Sequence, residues 1–131
     1  MAPSALSANL ATKSVRDTAK LHLVKSIGNT LYEEGRVSGT LPGTARVTLH
    51  LGVSSATSTF TFHLRGGSIT GSGSAKLKPG KNGRYDSFGG TASIRHGTGR
   101  YAHASGTGGL YGVVDRSNYS AEVQVIGTLR F

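Results

Sequence analysis

From Leu21 onward apolar and polar residues alternate along the chain, the period-two pattern of strands with one buried face. Leu21, Leu23 and Lys25 share one face of a first strand, with His22, Val24 and Ser26 on the other. Gly28-Asn29 turns the chain into a second run, which sets Leu31, Glu33, Gly35, Val37, Gly39 and Leu41 on one side and ends at Pro42-Gly43. A third run opposes Ala45, Val47, Leu49 and Leu51 to Arg46, Thr48 and His50. A fourth opposes Phe60, Phe62 and Leu64 to Thr59, Thr61, His63 and Arg65, and Gly66-Gly67 then reads as a hairpin turn. Four further faces follow: Ile69 to Leu77, Phe88 to Ile94, Gly106 to Val114, and Tyr119 to Phe131. No segment sustains a helical period, and isolated helical turns fit only at Ser14–Ala19 and Arg100–Ala104.

Eight strands at hairpin spacing predict an all-β fold, an eight-stranded antiparallel closed barrel of the calycin kind over residues 19–131. Residues 1–18 are read as a flexible N-terminal segment. A two-sheet β-sandwich requires the same alternation and is the structural alternative. Glycines on the inward faces favour the barrel, where they either ease curvature or leave a cavity. Leu23, Leu49, Phe60, Phe62, Phe88, Leu110 and Val123 fall on the lumen side, with Tyr101 at one rim. Together they are the candidate lining of a pocket for an apolar small molecule.

The chain has 131 residues with 20 glycines, 3 prolines and no cysteine, which excludes disulfides, thiolate metal sites and a cysteine nucleophile. Fifteen Lys and Arg against 6 Asp and Glu leave a formal charge of +9, which favours acidic partners. The basic residues are scattered from Lys13 to Arg130, and the densest group is Lys76, Lys78, Lys81 and Arg84. An exported module gripping an anionic polymer is therefore the non-catalytic alternative. Nucleic acid ranks last, because no face interleaves aromatics with Lys and Arg. No apolar run is long enough for a membrane span. The opening MAPSALSANLATKS is either the stub of a removed export signal, which places the protein outside the cell or on its surface, or an ordinary terminus of a cytoplasmic protein.

Two ionisable residues fall on the apolar face, Lys25 and Glu33, on strands joined by one turn. In a pocket, a lysine can form a Schiff base and a glutamate with a raised pKa can move protons. The structural alternatives are a solvated bridge at the barrel mouth or a shift of register at a bulge near Gly35. The histidines at 22, 50, 63, 96 and 103 show no metal-ligand spacing, although His50 and His63 lie on polar faces of neighbouring strands where they could pair. There is no G-x-S-x-G and no phosphate-binding loop, so neither metal nor cofactor is implied.

The C-terminal half, DSFGGTASIRHGTGRYAHASGTGGLYGVVDRSNYSAEVQVIGTLRF, resembles the allene oxide cyclase/dirigent barrel superfamily. Gly97, Gly99 and Tyr101 in a tight turn, the following S-G-T-G and the closing hairpin carry the resemblance, with AKLHLVKS and Gly39–Gly43 a looser N-terminal match. It implies an eight-stranded barrel with an apolar lumen and a homo-oligomer, trimer or dimer. It also implies a cyclase or isomerase acting by positioning a reactive substrate. The family's lumen glutamate on the first strand corresponds to Lys25, and its lumen cysteine has no counterpart.

Overall fold

A computed structural model describes residues 11–131 and contains eight strands and no helix among them. The strands are β1 (Thr12–Ile27), β2 (Thr30–Gly39), β3 (Gly43–Leu51), β4 (Ser55–Leu64), β5 (Gly67–Pro79), β6 (Tyr85–Gly99), β7 (Ser105–Asp115) and β8 (Ala121–Arg130). Each pairs antiparallel with the next, and β8 returns to β1, so the sheet closes as an up-and-down barrel rather than splitting into a sandwich. Closure leaves no strand edge unpaired.

Consecutive hairpins alternate between the two ends. The loops after β1, β3, β5 and β7 form one end, here the mouth. The turns after β2, β4 and β6 form the other, together with Ala11 and Phe131, whose backbones bond reciprocally at 2.7 and 2.9 Å. This second end is plugged. The loop between β6 and β7 folds inward as the N–H groups of Tyr101, Ala102 and Ala104 donate to the carbonyls of Thr98, Gly99 and Tyr101, and buries Tyr101 against Ile69, Ala104 and Leu129. Those bonds make a run of turns at Arg100–Ala104.

The first strand starts at Thr12, inside the segment read as flexible. Thr12–Leu21 pairs residue by residue with Ala121–Arg130 of β8, so Ser14–Ala19 is strand and not a helical turn. The alternation is masked there because the inward face carries an aspartate. Asp17 is buried, and the Leu41 N–H donates to its Oδ1 at 2.9 Å, tying β1 to the turn after β2. Residues 1–10, and with them most of the export-stub question, lie outside the described residues.

At three inward glycines a neighbouring side chain fills the space that the missing Cβ leaves, whereas Gly106, Gly108 and Gly127 border a lumen cavity. Phe60 lies opposite Gly71, and a Cβ on Gly71 would come within 2.8 Å of its ring and 2.4 Å of the Ser93 carbonyl. Phe88 covers Gly112 in the same way, at 2.7 Å, and Leu110 covers Gly73 at 2.6 Å. The outer wall is hydroxyl-rich: Thr48, Thr59, Ser72, Ser93, Thr107, Thr128 and Ser14 are successive register partners around it. No helix among the described residues is long and apolar enough to cross a membrane.

Candidate functional site

The stacked rings of Phe60 and Phe62, 4.9 Å between centroids, stand between two lumen cavities that share them with Leu110 and Val125. The mouth-side cavity is about 90 Å³ and is bordered by Leu49, Phe60, Phe62, Phe88, Leu110 and Val123, all of them sequence candidates. The plug-side cavity is about 60 Å³ and reaches Asp17 and Ile69. Leu23 and Tyr101 border neither. Leu23 is half-buried opposite Glu33, and Tyr101 belongs to the plug.

One ionisable side chain borders the mouth-side cavity. Glu33 is 2 % exposed, and neither carboxyl oxygen has a hydrogen-bond partner. β2 delivers it there by simple alternation, with Leu31 and Val37 on the same buried face. Desolvation disfavours the charged form, and burial raises the pKa from 4.5 to about 7. Unlike Glu33, Asp17 meets backbone donors. Burial raises its pKa, but the N–H groups of Leu41 and Thr40 pull the other way.

Lys25 does not join Glu33. The β1–β2 ladder shifts register between Leu23 and Lys25, leaving Val24 as an extra residue; Leu23 faces Glu33, and Lys25 faces Tyr32. One inserted residue reverses the faces beyond it. Lys25 therefore lies outside, its Nζ 4.9 Å from the centroid of the Tyr32 ring. The bulge sits on β1 and not near Gly35. Without the lysine, the described residues place no Schiff-base nucleophile in the lumen and no counter-ion beside the carboxyl.

His50 and His63 do not pair either. Their register partners are Thr57 and Thr44, and His50 Nδ1 is 3.2 Å from Thr30 Oγ1. Among the described residues, no three His, Asp or Glu side chains gather in a way that could hold a metal ion. Tyr111 is exposed on the outer wall and lies over Gly109, whose added Cβ would meet its ring at 2.6 Å.

The mouth is braced by two arginines that alternation did not flag. Arg84 donates to Asp115 through Nε and Nη2 at 3.2 and 3.1 Å. Arg116 donates through Nε to Asp86 at 2.8 Å and through Nη2 to the Gly52 carbonyl at 3.0 Å. The Arg116 N–H also reaches the Arg84 carbonyl, so the loops after β3, β5 and β7 are fastened together. The hydrogen bond from Arg84, supported by Ser117, lowers the Asp115 pKa to about 2. The sequence signal is an Arg and an Asp at the edges of the loops after β5 and β7.

Comparison with protein-family models, with curated proteins and with solved structures finds no match to this chain.

Proposed function

We propose that the barrel binds a small, largely apolar molecule carrying one oxygen function, and that Glu33 exchanges a proton with it. The observation that carries this is the Glu33 carboxyl, buried without a partner beside an apolar cavity. Orphaned buried polar groups are costly, and a hydrogen bond donated by the protonated carboxyl to a ligand carbonyl oxygen would relieve the cost. A pKa about 7 suits a group that gives and takes a proton at neutral pH. The reaction class is isomerisation or cyclisation. In an isomerisation the carboxylate removes a proton from one carbon, the carbon–carbon double bond shifts, and the resulting acid returns the proton to the far carbon; in a cyclisation the apolar walls act only by holding the substrate in place. The resemblance to the allene oxide cyclase/dirigent barrels points to the same class.

Two probes test this. Cyclohexanone titrated into labelled protein should shift the methyl signals of Leu49, Leu110 and Val123, and Glu33→Leu should weaken the effect. Conversion of 3-cyclohexenone to its conjugated isomer, followed by absorbance, should be lost in Glu33→Gln while cyclohexanone still binds. Methyl shifts confined to the outer wall, or turnover unchanged in Glu33→Gln, would refute the reading.

A further inference from the structure

The charges are not distributed evenly between the ends of the barrel. All six acidic residues have known places. Asp86, Asp115 and Glu122 lie toward the mouth, Glu33 is in the lumen, Glu34 faces His22 and Arg46 on the wall, and Asp17 is buried. At the plugged end stand Lys13, Arg16, Arg65, Arg100 and Arg130, with no exposed Asp or Glu side chain among the described residues there. None of the four ion pairs among the described residues uses a cation of this end. The ten residues before Ala11 contain no Asp or Glu that could neutralise it.

Two of these arginines flank a groove of about 390 Å³, outside the lumen. Its floor is Leu41, Pro42, Leu64 and Tyr101, and Arg65 and Arg100 also border it. Their spacing is set by backbone. The Arg100 N–H donates to the Gly66 carbonyl at 2.9 Å, locking the turn after β4 to the loop after β6. Gly66 and Gly99 take the positive φ values, 91° and 58°, that these turns demand. The Arg100 guanidinium is further held over Phe131, 5.4 Å from the ring centroid, and Phe131 packs on Tyr101 at 5.1 Å.

We propose that this groove is a second binding site, taking a phosphate monoester of an apolar or aromatic alcohol. Two guanidinium forks on a groove lined by no Asp or Glu, neither of them in an ion pair, suit a ligand of more than one negative charge, and a phosphate dianion can accept from both. The floor is apolar, so a bare anion would leave it uncovered; an organic group attached to the phosphate would cover it. The site does not depend on Glu33 or on the lumen.

Phenyl phosphate and inorganic phosphate titrated separately into the whole chain, read by calorimetry and by backbone amide shifts, test the proposal. Phenyl phosphate should bind more tightly than inorganic phosphate by about tenfold, the gain expected from covering the floor. The shifted amides should be those of Gly66, Arg100 and Tyr101. Arg65→Ala should weaken binding by about fivefold or more. Arg100→Lys, which keeps the charge over Phe131 but loses the fork, should also weaken it, and Glu33→Gln should leave it unchanged. Equal binding of the two phosphates, no binding at about 5 mM, or amide shifts around the lumen would each overturn it. So would a long polyphosphate binding far more tightly per phosphate than phenyl phosphate, which would mark an extended polyanion surface instead.

Discussion

At the scale of the residue, Glu33 dominates. A carboxyl whose folded pKa lies above its unfolded value keeps its proton longer in the native state. Its contribution is intact below about pH 4.5 and is lost as pH rises to about 7. The span corresponds to roughly 3 kcal/mol. Glu33→Gln removes that titration. Its unfolding free energy, measured by urea denaturation at pH 4.5 and pH 8, should fall less between the two than the parent's does, and the variant should exceed the parent at pH 8 by up to about 3 kcal/mol. Gly71 offers a second test. An alanine there meets both the Phe60 ring and the Ser93 carbonyl, so Gly71→Ala should destabilise by about 1–3 kcal/mol, visible as a lower denaturation midpoint. Glu33 was legible in the sequence because it interrupts an otherwise apolar alternation. That glycines would make room for rings was not, since the pattern does not say which neighbour leans over which glycine.

At the scale of the element, the eight apolar faces from Leu21 onward were readable because a barrel wall keeps one side dry along every strand. Two things escaped. The start of β1 did, because Asp17 occupies an inward position and only its bond from Leu41 justifies it. The face of Lys25 did, because a bulge costs a single residue and leaves no mark in a sequence that is apolar at 21, 23 and 24. The bulge gives an expectation in turn. Deleting Val24 leaves Leu23 facing Glu33 and Lys25 facing Tyr32, so the fold should survive, whereas deleting Leu21 turns Asp17 and Ala19 outward and should abolish cooperative unfolding. Circular dichroism and thermal melting distinguish the two. The mouth loops carry their own test. Arg116→Ala leaves Asp86 buried without its partner and frees the loop at Gly52, which should cost about 3 kcal/mol. Amide exchange should then quicken in the loops after β3, β5 and β7 together.

At the scale of the whole molecule, closure and charge act on different parts. The mouth-side cavity holds one carboxyl among apolar walls, the mouth has its loops stapled by Arg–Asp pairs, and the plugged end gathers cations without an exposed Asp or Glu side chain. These parts titrate in opposite senses. Asp115, held at about 2 in the fold, supports stability above its unfolded value near 3.8 and gives up that support as pH falls toward 2. Glu33 gives up its support as pH rises through 7, and burial of Asp17 adds to the decline on that side. Stability should therefore peak near pH 4 to 5, on the acid side of neutrality, despite a formal charge of +9. A series of melting temperatures from pH 2 to pH 9 at fixed ionic strength locates the maximum.

Proton exchange at Glu33 requires a carboxyl that an apolar lumen keeps protonated up to about pH 7. The most direct test is a carbon-13 NMR titration of the Glu33 side-chain carboxyl, assigned by comparison with Glu33→Gln. A midpoint close to 7, with the signals of Leu110 and Val123 moving in step, is the result this account predicts. A midpoint near 4.5 would mean that water or a charge reaches the group, and would contradict it.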